Sequence, residues 1–235
     1  MDRTTIKGKW ALVTGASRGV GRQTSLGLAD CGCSVVLHGR HVDHTSALAA
    51  ELSAKGVNVL QIGAELSDQT QVDALISKAL TETPGIDILY NNAAVMTPYR
   101  HDWMTIPAED FRASFEVNTI SLIRICLAFI PGMVERKWGR IVNVTSGVKD
   151  QPEMNAYAAS KAAVDKFVLD TAGRLAADGV LMNLLDPGWL RTDLGGPSAP
   201  NAVETVMPGA LVPALIDDGT YGKLFRAQDY TGETL

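Results

Sequence analysis

Tyr157 and Lys161 stand four residues apart in Ala156-Tyr157-Ala158-Ala159-Ser160-Lys161, inside a run that reads as helical. Residues at i and i+4 share one helix face, so this spacing sets a phenol beside an ammonium. A free tyrosine has a pKa of ~10 and is a poor acid or base at neutral pH. A neighbouring positive charge favours the phenolate and lowers that value. Lowering it by ~3 units corresponds to roughly 4 kcal/mol of differential stabilisation. The chemistry on offer is proton transfer. Standing alone, the same spacing reads first as an ordinary exposed Tyr and Lys on an alanine-rich helix.

The pair has company. Val142-Asn143-Val144-Thr145-Ser146-Gly147 ends the preceding apolar run, and the Ser146 hydroxyl there is suited to hold a carbonyl oxygen. Asn118 sits in Phe115-Glu116-Val117-Asn118-Thr119-Ile120, where an amide in an apolar helix is costly unless hydrogen-bonded. A helix carbonyl would satisfy it as well as a functional partner. Asn91-Asn92-Ala93-Ala94 follows another apolar run and marks a close-packed turn.

Near the start, an apolar run ends in Thr14-Gly15-Ala16-Ser17-Arg18-Gly19-Val20-Gly21, and a helical pattern follows. Glycines allow a sharp turn and close approach to a phosphate. The next helix offers free N–H groups and a positive dipole end. Strand, glycine turn and helix in this order form the context of a dinucleotide site, here spaced G-x3-G-x-G. Without a ligand, the same residues read as a tight βα turn. Sites for NAD place an acid at the end of the second strand, to hold the ribose hydroxyls. Here Val35-Val36-Leu37-His38-Gly39-Arg40 carries none. Arg40, with Arg18 and Ser17 in the turn, points to a phosphate and so to NADP(H). The alternative leaves Arg40 as a solvated loop residue.

These residues must be positioned by the elements around them. Residues 10–13, 34–37, 57–62, 86–89, 140–144, 180–185 and 223–225 are short Val/Ile/Leu runs, as expected of parallel strands buried on both faces. Helical patterns cover 20–30, 43–55, 69–83, 109–136 and 153–177, the fourth with an expected break near Pro131-Gly132. A weaker helix over 202–217 is interrupted by Pro208 and Pro213. Alternation of this kind predicts a doubly wound α/β sheet. A loop at 195–200 lies too late to divide the chain, so residues 1–235 read as a single domain.

Composition narrows the function classes. The chain has 235 residues, 46% hydrophobic and 20% charged, which excludes intrinsic disorder. A net charge of -5 carries no footprint of a nucleic-acid or anionic-membrane partner. The residues before Trp10 lack the apolar core of a signal peptide, and the apolar stretch 120–130 contains Arg124 and is too short to span a bilayer. Three cysteines make no disulfide framework, and no Cys/His pair completes Cys31 and Cys33 as a zinc site. A reducing, cytoplasmic location and no metal are expected.

Taken together and in order, Thr14 to Gly21, Asn91 to Ala94, Asn118, Ser146, Tyr157, Lys161 and Pro187-Gly188 with Thr192 resemble the short-chain dehydrogenase/reductase family over residues 9–192. The resemblance implies a Rossmann-type sheet of seven parallel strands in order 3-2-1-4-5-6-7, with helices on both faces. It implies hydride transfer at nicotinamide C4 and a tetrad of Asn118, Ser146, Tyr157 and Lys161. In that reading Tyr157 is the acid in reduction and Ser146 orients the substrate oxygen. Lys161 holds the ribose and lowers the Tyr157 pKa, while Asn118 holds a water that links Lys161 to solvent. The cofactor would contact Gly15, Ser17, Arg18, Gly19, Val20, Gly21, Arg40, Glu65, Leu66, Asn91, Asn92, Ala93, Tyr157, Lys161, Pro187, Gly188 and Thr192.

Three departures bear on these expectations. The segment from Ser146 to Tyr157 is shorter than is common in the family, NNAA replaces NNAG, and Glu65 stands where an Asp is frequent. The tail from Gly188 to Pro197 and from Asp217 to Phe225 resembles carbonyl reductases in particular. Trp189, Leu190 and Leu194 are expected in a lid. Met96, Tyr99, Trp103, Val148 and Met154 are either pocket lining or plain packing. A small-molecule ketone, aldehyde or alcohol is the expected substrate. A non-catalytic NADP(H)-binding regulator or scaffold on the same fold is the alternative. The apolar residues Ile120, Leu122, Ile123 and Leu127 fit either the core or the interface of a homodimer or homotetramer.

Overall fold

The computed structural model describes residues 3–233. Seven strands form one sheet: β1 Trp10–Val13, β2 Ser34–Gly39, β3 Val59–Gly63, β4 Ile88–Asn91, β5 Gly139–Val144, β6 Val180–Asp186 and β7 Leu224–Arg226. All neighbours pair in parallel, in the order β3-β2-β1-β4-β5-β6-β7. The order reverses direction at β1, which pairs with both β2 and β4. A crevice therefore opens above their carboxyl ends, where such sheets bind ligands.

Alternate residues of the central strands feed two cores. Ala11, Val13, Val35, Leu37, Ile88 and Tyr90 face one side with Leu28 of α1 (Gly19–Asp30) and Leu52 of α2 (Ser46–Ala54). Leu12, Val36 and Leu89 face the other, with Leu75 of α3 (Gln69–Glu82) and the helices described next. Burial on both faces is why these strands show no polar alternation.

The helix expected over 109–136 has its irregularity elsewhere. α4 (Ala108–Phe115) passes into a π-helical segment, Glu116–Ser121, and then into α5 (Leu122–Glu135), which runs through Pro131. A π segment adds a residue to the turn and re-aims the side chains it carries. Here Asn118, Thr119 and Ser121 all bond to groups outside their own helix, at Val95, Ser160 and Leu66. The composite helix, 108–135, is long and apolar enough to cross a membrane by length and composition, contrary to the expectation from the 120–130 stretch. Half of its most apolar window is buried, and Val117, Leu122, Ile125 and Phe129 pack in the second core. Ile120 and Leu127 point outward, so only Leu122 of the core-or-interface set is fully committed to the core and Ile123 is half-buried.

α6 (Asn155–Ala176) carries Tyr157 and Lys161 against β5 and β6. The helix expected over 202–217 is broken up. Two short 3-10 turns, Val203–Val206 and Gly209–Leu211, precede the single turn α7 (Val212–Leu215). Pro208 and Pro213 lack the N–H a continuous helix needs.

Candidate active site

The glycine turn joins β1 to α1 at the crevice. Gly15 and Gly19 have φ of +65° and +58°, a region L side chains avoid. A Cβ on Gly21 would lie 2.3 Å from the Gly15 carbonyl oxygen, so the helix packs directly on the turn. Arg18 occupies the N-cap position without capping, and no acid lies in the first turn of α1. Among the described residues, the first-turn N–H groups from Gly19, Val20 and Gly21 thus have no side-chain cap, and they suit an anion. A Cβ on Gly19 would meet nothing nearer than Thr192 Cγ2 at 3.5 Å, which leaves a shallow space over the turn. These features fit the pyrophosphate of a dinucleotide.

Asn92 fixes the turn. Its Nδ2 donates to the carbonyls of Thr14 and Gly15 at 2.9 and 3.1 Å, and the Thr14 hydroxyl accepts from the N–H groups of Asn92 and Ala93. Asn91 is different. Although it is expected against the cofactor, its buried side chain donates to Asn143 Oδ1 at 2.8 Å and to Cys126 Sγ, and so joins β4 to β5. The Leu66 side chain likewise belongs to the second core, and its carbonyl accepts from the Ser121 hydroxyl. The Glu65 carboxylate accepts from the Ser67 N–H.

The two guanidinium groups proposed for a phosphate differ. Arg40 is exposed just past the end of β2. Arg18 is exposed too, but its Nη1 pairs with Asp193 at 2.5 Å, tying the glycine turn to the segment after β6. Ser17 is half-buried in the same turn. Pro187 and Gly188 follow β6; the Pro187 carbonyl accepts from Gln228, and a Cβ on Gly188, whose φ is +81°, would meet Gln228 Cγ at 2.7 Å. Thr192 Oγ1 accepts from the Gly195 N–H at 3.0 Å.

Tyr157, Ser146 and Lys161 converge at the ends of β5 and β6. Tyr157 and Lys161 are buried, at 6% and 3% exposure, which excludes the reading of an ordinary exposed pair. Lys161 Nζ donates to the Val144 carbonyl at 2.8 Å and lies 5.9 Å from the centre of the Tyr157 ring. Burial brings the Lys161 ammonium down to about 8, against the opposing pull of Asp165 one helical turn on. Burial raises the Tyr157 pKa, the hydrogen bond with Ser146 opposes this, and the Asp186 carboxylate adds to it. The protein's own groups thus raise the phenol pKa, and the lowering expected from the lysine together with a cationic nicotinamide ring would have to come with the cofactor.

Asn118 is fully buried. Its Oδ1 accepts from the Val95 N–H at 2.8 Å, and its Nδ2 donates to the Val95 carbonyl and to Ser160 Oγ. Both amide hydrogens are spent, so the capacity its side chain keeps for a water is the second lone pair of Oδ1. What the geometry shows directly is a clasp on the segment after β4.

Met96, Tyr99, Trp103 and Trp189, the apolar residues expected along the pocket or lid, are 40, 53, 49 and 58% exposed. Val148 and Met154 are half-buried, and Leu194 is exposed. Leu190 leaves the expected lid, because its side chain is buried in the first core. A paired Arg100–Asp110 contact holds the Tyr99 loop to α4.

Residue reading missed His38. Its buried ring joins the glycine turn to the segment after β3, accepting from the Gly15 N–H and facing the Ala64 carbonyl. The one available signal was a polar residue in a strand otherwise buried on both faces. Asp165 and Asp186 were missed as well. Asp165 has its pKa raised by burial, and its signal was the i+4 spacing from Lys161.

Residues 9–202 match the family model described as short chain dehydrogenase. The chain is 34% identical to a 3-oxoacyl-[acyl-carrier-protein] reductase of Synechocystis over 194 residues, 81% of this chain and 78% of the relative. It is 29% identical to the 7alpha-hydroxysteroid dehydrogenase of Escherichia coli K12, over all of this chain and 88% of that one. A solved 3-oxoacyl (acyl-carrier-protein) reductase from Agrobacterium tumefaciens, with NADP bound, superimposes with a TM-score of 0.84 at 28% identity, covering 96% of each chain. With the seven-stranded sheet, the glycine turn and the extent of this match, the chain belongs to the short-chain dehydrogenase/reductase family of oxidoreductases.

Proposed function

We propose that the protein reduces a ketone or aldehyde with NADPH, or runs the reverse oxidation, with Tyr157 as the proton donor. The observation that carries this is a buried lysine held beside a buried tyrosine. Lys161 loses its hydration to hydrogen-bond the Val144 carbonyl beside Tyr157, and Tyr157 in turn touches Ser146. An isolated buried ammonium is costly, and a pure binding module has no use for it. Bound NADPH supplies the hydride. Tyr157 delivers a proton to the substrate oxygen, which Ser146 orients by its hydroxyl. Lys161 holds the ribose and keeps a positive charge beside the phenolate that forms. Asn118 sets the position of the Val95 backbone at the same edge.

The cofactor preference rests on β2, which ends in His38-Gly39-Arg40 with no acid to receive ribose hydroxyls and with an exposed guanidinium. Glu65, Leu66, Asn92, Ala93, Pro187, Gly188 and Thr192 are assigned to the same groove. The exposed apolar rim favours a hydrophobic carbonyl compound. We place the protein in the cytoplasm, a reading favoured by the buried free thiols of Cys33 and Cys126. Outward-facing Ile120, Leu127 and Leu169 favour pairing of chains, which light scattering would read as dimer or tetramer against monomer.

The test is NADPH oxidation across a panel of ketones, aldehydes and quinones, with Tyr157→Phe as control. Turnover by the native chain and none by the variant is expected. Failure with every carbonyl would return the protein to the class of nucleotide-binding regulators.

A further inference from the structure

We infer that His38 is a positioning residue of the dinucleotide site and that it works only as the neutral, Nε2-protonated imidazole. The inference rests on the proposed cofactor reading of the glycine turn. The ring is 2% exposed, at the carboxyl end of β2. Nδ1 lies 3.1 Å from the Gly15 nitrogen, and Nε2 lies 2.9 Å from the Ala64 oxygen. A backbone N–H can only donate and a carbonyl can only accept, so the two partners dictate the tautomer. Nδ1 must present its lone pair and Nε2 must carry the proton.

The bonds span the two halves of the groove. Gly15 opens the phosphate turn at positive φ, and Ala64 opens the segment that carries Glu65 and Leu66. Backbone bonds run in parallel with the ring. The Ala16 N–H donates to the His38 carbonyl at 2.8 Å, and the Ala64 N–H donates to Gly39 at 3.0 Å. The ring and these backbone bonds together set the separation of the pyrophosphate and adenosine ends of the proposed site.

A second proton on the ring would place an Nδ1–H against the Gly15 N–H, in a spot closed to water. Burial is the main reason the imidazolium is disfavoured, and the Ala64 bond and the Glu65 charge oppose it. The other ionisable groups on the elements around the ring are Arg18 on the glycine turn and Arg40, His41 and His44 beyond β2. As pH falls below the ordinary histidine range of ~6.5, protonation pulls the Gly15 N–H away from its acceptor and the phosphate turn loosens.

The experiment measures NADP+ affinity by titration calorimetry on the native protein, His38→Asn and His38→Leu, from neutral to mildly acid pH. The Oδ1 of Asn reproduces Nδ1 as an acceptor and does not titrate, whereas Leu reproduces neither. Expected at neutral pH is about tenfold weaker binding for His38→Leu and a smaller loss, about threefold, for His38→Asn. On acidification the native protein should lose affinity more steeply than His38→Asn. The cofactor's own phosphate titrates equally in both, so identical acid slopes would overturn the inference, as would full affinity in His38→Leu. Should His38→Leu fail to fold, the comparison with His38→Asn still decides. The imidazole 15N shifts of the native protein give a readout independent of binding, and an Nδ1–H tautomer or a charged ring at neutral pH would also overturn it. If the native protein bound no dinucleotide at any pH, the cofactor reading itself would fall and this inference with it.

Discussion

The two sides of the crevice are built by opposite means. On the cofactor side, backbone groups are held by buried or half-buried side chains: Asn92 grips Thr14 and Gly15, His38 grips Gly15 and Ala64, and Asn118 grips Val95. On the side proposed for the substrate, Met96, Tyr99, Trp103 and Trp189 stand 40–58% exposed on connecting segments. A dinucleotide presents the same phosphates and ribose at every turnover, so a fixed cradle is suited to it and saves ordering it anew. A rim of exposed apolar side chains fixes no single partner, and specificity there can change without disturbing the sheet.

The comparison can be broken most severely at its centre. Tyr157→Phe should lower kcat by about 10²–10⁴-fold while NADP+ affinity shifts by no more than about twofold, checked by stopped-flow and calorimetry. Retained turnover would remove Tyr157 as the donor.

On the rigid side, Gly21→Ala forces a Cβ to within 2.3 Å of the Gly15 oxygen and 2.5 Å of Asn92 Nδ2. A cost of about 2–3 kcal/mol in denaturant unfolding, with cofactor binding weakened in parallel, is expected. An unperturbed variant would mean that the turn is looser than its contacts indicate.

Lys161 tests the cradle through pH. Its ammonium is present below about 8 and is lost as pH rises through that value. Once it is neutral, the positive charge beside the Tyr157 phenolate is gone, so kcat/KM for reduction, which follows ionisations of the free protein, should fall on the alkaline side with a midpoint of about 8. A rate flat through this range would separate Lys161 from the proton step.

A smaller effect is expected at Arg40. Arg40→Ala should weaken NADP+ about tenfold and leave NAD+ nearly unchanged, as measured by paired titrations. Arg18 begins from its pair with Asp193, so its removal should matter less than that of Arg40. Smallest of all in stability is the rim. Trp103→Ala, at a residue 49% exposed, should move unfolding by under ~0.5 kcal/mol while KM for an apolar substrate rises.

Much of the arrangement was legible from residues alone wherever a local rule applied. Continuous Val/Ile/Leu runs located the strands because a parallel sheet buries both faces. The glycine spacing marked the turn because a phosphate needs bare backbone. Tyr157 and Lys161 shared a face by the helical period alone. Other features depended on partners distant in sequence. The irregularity of the long helix fell at Glu116–Ser121 instead of Pro131, since Asn118, Thr119 and Ser121 had to meet Val95, Ser160 and Leu66. Asn91 turned into the sheet toward Asn143 while Asn92 turned to the cofactor turn, a division two adjacent amides cannot announce.

By itself, the sequence determined the order of strands and helices, the glycine turn, the Tyr–Lys face and the missing acid after β2, because each depends on residue type and short-range spacing. Only the tertiary structure decided what charge those groups carry and what they hold. Burial, not the neighbouring lysine, governs the free Tyr157 phenol, and it brings Lys161 down to about 8. Asp193 claims Arg18, the first core claims Leu190, and two backbone groups, 49 residues apart in the chain, fix the proton on His38. Desolvation and long-range hydrogen bonds exist only once the chain has closed on itself, so no local reading of residues contains them.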